Sequence, residues 1–110
     1  MRIFLIFSML ISGYSFSCDN ATETYYTWAN LKVFPETVSS PITKAEAENK
    51  ELKGEAYYIQ LVCDSGDLLM LTKRLNGAVF FQIDYLDNAE GIYGKITTNS
   101  NGGTTKYVHR

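Results

Sequence analysis

The chain has 110 residues, of which 45% are apolar, 20% charged and 14% aromatic, and its formal net charge is −2. That composition gives one globular domain and excludes a second core, a coiled coil, a collagen-like body and a disordered one. A mildly acidic balance with no run of like charges also removes nucleic acid as a partner, because phosphate contacts need clustered Lys and Arg.

Residues 1–17, MRIFLIFSMLISGYSFS, read as a signal peptide: Arg2 supplies the positive end, Ile3 to Ile11 the apolar run, and Ser15 and Ser17 the small residues before a cut. The run is too short for a membrane span, which takes roughly 20 apolar residues. Residues 18–110 are then a single exported domain, periplasmic or secreted. They lose only Arg2 among the ten cations and keep all twelve acids, which leaves a net charge near −3.

Cys18 and Cys63 are the only two cysteines. In an oxidising compartment two thiols pair, and a disulfide between them is the expected state. Two alternatives are a lipid anchor at Cys18, the first residue after the cut, and a reactive thiol at Cys63 with His109 as its base. Against the lipid stands Ser15-Phe16-Ser17, which lacks a Leu three positions before the cysteine. Against the nucleophile stands the absence of any third group to hold His109, which is the single histidine and next to last in the chain. Asn20-Ala21-Thr22 matches a glycosylation sequon, which has meaning only in a eukaryotic secretory route.

Residues 24–34, TYYTWANLKVF, carry the Thr, Tyr, Trp and Val of a strand ended by Pro35, although Tyr25, Trp28 and Leu31 also fit helical spacing. Thr43 and Glu46 form a Thr-x-x-Glu capping box, helix formers continue through Leu52, and Gly54 stands as a C-cap. With only Ile42 and Leu52 as sizeable apolar side chains, this helix should rest lightly on its neighbours. From Glu55 onward the period is two. Tyr57, Ile59, Leu61 and Cys63 share one face of a strand and Tyr58, Gln60 and Val62 the other.

Asp64 to Asp67 is a turn, and Leu68 to Leu75 a strand apolar on both faces at its start, as a central strand is. Asn76-Gly77 marks a type I′ hairpin. Ala78 to Leu86 is a third strand with Val79, Phe81, Ile83 and Tyr85 on one face and Phe80, Gln82 and Asp84 on the other. Turns at 87–91 and 99–103 then bracket a strand over Ile92 to Thr98, with a last one over Thr104 to His109. The expected fold is α+β: an antiparallel meander of four to six strands with one short helix.

The stretch Cys63 to Leu68, followed by Lys73 and Asn76-Gly77, resembles the hairpins of bacterial YD-type repeat proteins. A fainter second copy runs from Asp84-Tyr85 through Gly91-Ile92 and Lys95 to Asn101-Gly102, at a period near 25 residues. Pro41-Ile42-Thr43, Ala45-Glu46 and Tyr57-Tyr58 look like parts of small uncharacterised bacterial β-meander domains. The resemblance covers residues 41–102 and implies a fold and no activity. The Tyr expected before the Asp is Cys63 here.

Chemistry-bearing patterns are sparse. Asp64 with Asp67 and Asp84 with Asp87 are carboxylate pairs at turns, where solvation is the ordinary reason for acids, and neither has the ligand count of a calcium loop. One His and two Cys give no zinc set, and no phosphate loop, dinucleotide motif or nucleophile elbow is present. The sequence therefore points away from an enzyme, a metal and a cofactor. What remains is aromatic: Tyr25, Trp28, Tyr58, Phe80 and Tyr93 are candidate binding residues, since Tyr and Trp give large contact area with few rotors to freeze. The expected function is protein binding in the bacterial envelope, of the immunity-protein or inhibitor kind, with an envelope protein as partner. The alternative is a carrier or sensor of a small apolar or carbohydrate ligand.

Overall fold

The computed structural model describes residues 18–109, so the signal-peptide expectation for residues 1–17 lies outside the described residues. Strand β1 is Ala21–Tyr26, β2 Ala29–Asn30, β3 Thr37–Val38 and β4 Pro41–Ile42; helix α1 is Lys44–Lys53. Five longer strands follow: β5 Tyr57–Cys63, β6 Leu68–Leu75, β7 Ala78–Asn88, β8 Gly91–Asn99 and β9 Thr104–Val108. Seven strands make one sheet in the order β4-β1-β5-β6-β7-β8-β9, every neighbouring pair antiparallel, and β2 and β3 form a separate two-stranded ribbon.

The sheet thus has more strands than the four to six expected. The additional one is β4, two residues long and opening on a proline, too short for any period to register. Pro41 suits it because a residue without an N–H fits a sheet edge. Strand β6 is central in the sheet, as its apolar start implied, and its Leu71 is fully buried.

The expectation of one strand over residues 24–34 is corrected. The strand ends at Tyr26, and residues 27–40 leave the sheet as a strap that folds back over it. The strap is closed on itself: Ala29 pairs with Val38, Ser39 donates its N–H to the Trp28 carbonyl at 3.0 Å, and the Ser39 hydroxyl accepts the Trp28 N–H. Ala29 and Val38 then pack on Tyr26, Tyr58, Leu71 and Ile83, which form the core with Phe81 and Tyr85.

Helix α1 covers part of the opposite face. Its capping box is complete, with Glu46 N–H donating to the Thr43 hydroxyl and Thr43 N–H to the Glu46 carboxylate, and Gly54 caps its end at φ 73°. Only Ala47 of the helix is buried, and Leu52 is 87% exposed. The light packing expected from its composition is what the fold shows.

The two ends of β5 illustrate how covers and sheet combine. Adjacent Tyr57 and Tyr58 point to opposite faces, and both are buried, one toward the helix and one under the strap. At the other end Cys63 is bonded to Cys18, which closes a loop of 45 residues and ties the start of β1 to the end of β5. The Cys18 sulfur that a lipid anchor would need is committed to this bridge, and so is the Cys63 sulfur that a nucleophile would need. No helix among the described residues is long and apolar enough to cross a membrane.

Replacing Cys18 and Cys63 together by Ala should cost about 3–4 kcal/mol, because the unfolded chain regains the freedom of that loop. Urea unfolding of the oxidised chain and of the double variant measures it; a difference below about 1 kcal/mol would assign the bridge no stabilising role.

Candidate protein-binding groove

The antiparallel register sets Tyr85 of β7, Lys95 of β8 and Tyr107 of β9 side by side on the face beneath the strap. The strap lowers Glu36 onto this row. Its carboxylate is 3% exposed, accepts the Tyr85 hydroxyl at 2.7 Å, and is ion-paired with the Lys95 ammonium. A buried carboxylate persists only when paired and hydrogen-bonded, and here both oxygens are used. Burial first, and the facing Glu36 carboxylate second, push the Tyr85 hydroxyl far above its ordinary pKa, so it stays a donor.

Next to the pair, Phe34 of the strap packs edge-on against Tyr107 at 5.1 Å and, with the rings tilted by 30°, against His109 at 5.4 Å, and Lys95 lies 5.7 Å from the Phe34 ring centroid. His109, the base in the discarded thiol reading, is thus an aromatic packing partner. Its hydrogen bond is to the Tyr107 hydroxyl.

On the other side of Glu36 and Lys95 the surface falls into a groove of about 350 Å³. Glu36, Lys95, Thr97 and Asn99 contribute polar groups to it, while Leu31, Phe80, Phe81 and Ile83 contribute apolar ones. Leu31 comes from the strap and Phe80 from β7, and both are exposed. The position of Phe80 corrects the alternation expected for this strand. The register slips between Lys73, opposite Phe81, and Arg74, opposite Val79, so one extra residue is accommodated on β7. That bulge lets Phe80 line the groove together with Phe81 instead of pointing away with Gln82 and Asp84. Lys73 stands over the Phe80 ring at 5.1 Å.

Two larger hollows have a different character. One of 740 Å³ is a shelf along the outer edge of β1. The other, of 510 Å³, lies between α1 and the sheet and contains a second Glu, cation and Tyr cluster. There Arg74 grips Glu51 with two bonds of 2.9 and 3.0 Å, and Tyr57 donates to the same carboxylate at 2.6 Å. The Arg74 guanidinium, with help from the Tyr57 hydroxyl, lowers Glu51 from 4.5 to about 2. Burial, then the neighbouring carboxylate, raises Tyr57 to about 12.

The five aromatics singled out from sequence do not form one patch. Phe80, 46% exposed, is on the groove. Trp28, 58% exposed, stands on the strap, and Tyr93 is exposed on β8. Tyr25 is half-buried near Tyr57, with its hydroxyl on Glu23, and Tyr58 is 6% exposed in the core and offers no free ring. Leu31, Glu36 and Lys95 were not anticipated; Glu36 meets Tyr85 and Lys95 across 49 and 59 residues of sequence. No family model, curated protein or solved structure matches the chain.

Lys95→Met should destabilise the fold by about 3–5 kcal/mol by leaving Glu36 buried without its cation, whereas Lys95→Met with Glu36→Gln should recover most of that loss. Denaturant midpoints of the parent chain, Lys95→Met, Glu36→Gln and the double variant check it, and equal losses in Lys95→Met and the double variant would refute an ion-pair role. Glu51 gives a separate acid signature. Its folded pKa is depressed, so its contribution is full above pH 4.5 and is lost as the pH falls toward 2. Glu51→Gln should flatten the dependence of Tm on pH across that window, and an unchanged slope would show that the clasp does not couple to folding.

Proposed function

We propose that this chain is an exported, non-enzymatic binding domain of the bacterial envelope that recognises another protein through the groove between the strap and β7–β8, in the manner of an immunity protein or inhibitor. The groove carries the reading. It places exposed Leu31 and Phe80 beside a desolvated charge pair, which is the combination of apolar anchor and orienting polar group that binding hot spots use. The groove is also assembled on rigid parts: one wall is a central run of sheet, and the other is pinned by Glu36. A partner side chain entering it would meet a surface that needs little ordering.

The Cys18–Cys63 bridge supports an oxidising compartment for this work. A second reading is a carrier or sensor of a small apolar or carbohydrate ligand; Thr97, Asn99 and Ser100 at one end of the groove favour its carbohydrate form, with the sugar stacked on Phe80.

Affinity capture from the source envelope followed by light scattering distinguishes the two: a stoichiometric protein complex is expected for the first reading, and saturable shifts of the Asn99 side-chain amide on adding free glycans for the second. Phe80→Ala and Leu31→Ala should each weaken the protein complex by about 30-fold, equivalent to ~2 kcal/mol, with stability changed by under about 1 kcal/mol. A captured partner that binds both variants as tightly as the parent chain would remove the groove from the interface.

A further inference from the structure

We propose that Asn76 is a site of spontaneous modification: its side-chain amide is lost as ammonia through a cyclic imide formed with the Gly77 nitrogen, and the acid that results loosens the clasp holding helix α1. This does not rest on the groove and goes beyond the binding role.

The chain has two Asn-Gly pairs, Asn76-Gly77 and Asn101-Gly102, both at exposed turns. A glycine after asparagine leaves the next backbone nitrogen unshielded by a Cβ, so that nitrogen can approach the asparagine side chain. What separates the two pairs is how that nitrogen is held. Gly102 donates its N–H to the Asn99 carbonyl at 3.0 Å, and the Asn99 side chain accepts the N–H groups of Asn101 at 2.9 Å and Gly103 at 3.0 Å. That turn is caged by Asn99. The Gly77 N–H has no acceptor among the described residues, as the second central position of a two-residue turn leaves it, and the turn is closed around it by the Leu75 to Ala78 pair.

The step needs only water. The Gly77 nitrogen, having lost its proton, bonds to Cγ of Asn76; the Cγ–Nδ2 bond breaks and ammonia leaves with the proton. Water then opens the ring at one of two carbons. Attack at Cγ gives an aspartate, and attack at the Asn76 backbone carbonyl carbon gives an isoaspartate, whose chain runs on through Cγ.

Both products disturb the junction of hairpin and helix. An isoaspartate adds a methylene to the backbone of a tight turn whose central residues have φ of 57° and 80°. That turn helps to set the clasp, because one Arg74 nitrogen bonds both the Gly77 carbonyl and the Glu51 carboxylate, each at 3.0 Å. The Asn76 side-chain oxygen also leans over Gly54, the C-cap of α1: a Cβ built on Gly54 would meet it at 2.8 Å. Either product therefore sets a new anion at the negative end of the helix macrodipole, where it is unfavourable, and within reach of the Arg74 that Glu51 needs.

Peptide mapping of the oxidised chain kept folded in mildly alkaline buffer, with isoaspartate read by enzymatic methyl transfer, should find Asn76 converting at least about fivefold faster than Asn101, the factor that one hydrogen bond on the competing nitrogen is worth. In guanidinium chloride, where the cage is gone, the two rates should converge. The converted chain, separated by its extra negative charge, should show faster amide exchange along α1 and a lower Tm than the parent. Asn101 converting first, Asn76 intact in the folded chain after the unfolded sample has converted, or rates that stay apart in denaturant would each overturn the assignment of the site. Unchanged exchange along α1 in the converted chain would overturn the loosening of the clasp.

Discussion

Apolar residues lie on both faces of the seven-stranded sheet, and this chain has little material to cover them. One face receives a strap of fourteen residues and the other a ten-residue helix with one buried side chain. The only buried apolar side chain of the helix is Ala47, and the strap contributes buried Ala29 and partly buried Val38. What fastens the strap is Glu36, a carboxylate inserted between Tyr85 and Lys95. Ala29, Val38 and Phe34 reach their places in the core and against Tyr107 because that anchor fixes the strap between them.

The helix is fastened by the same device on the opposite face. Glu51 projects from α1 to Tyr57 and Arg74, which are directly opposite each other in β5 and β6, as Tyr85 and Lys95 are in β7 and β8. In each case the sheet supplies a cross-strand tyrosine and cation, and the cover supplies the acid. The two differ in solvation. Glu51 and Arg74 keep about a quarter of their side-chain surface, which limits their net worth, while Glu36 is almost fully enclosed and would be costly to strand. The strap is therefore the more cooperative part of the fold and the helix the more easily detached.

Legibility in the sequence followed range. Features decided within a few residues read correctly: the Thr43 to Glu46 capping box, the Gly54 cap, the Asn76-Gly77 turn with both residues at positive φ, and the alternation that put Tyr57 and Tyr58 on opposite faces. The cysteine pairing was expected from the number of cysteines and from the oxidising compartment that residues 1–17 suggest, and the bridge is present. The strap did not read, because its turn back over the sheet is set by Glu36 meeting Tyr85 and Lys95, which no local pattern encodes. Phe80 was misplaced for a related reason: a bulge is one extra residue against a partner strand, and the partner is invisible in a period-two count of β7 alone. Of the groove, sequence showed only that ring, while Leu31 and Lys95 read as an ordinary apolar and an ordinary surface residue.

The groove and the strap are consequently one mechanical unit. Leu31 belongs to the same strap that carries Glu36, and Lys95 both closes the ion pair and lines the cleft. Any ligand group that competes for Lys95 must leave the Glu36 carboxylate short of a cation in a nearly dry site, a state much costlier than the bound one unless the ligand restores the charge balance. Neutral or apolar groups seated between Leu31 and Phe80 meet no such penalty. Under the binding role proposed above, the chemistry of the floor would select against anionic side chains at the centre of the cleft and admit aromatic or aliphatic ones, with hydrogen-bonding partners confined to the Thr97 and Asn99 end.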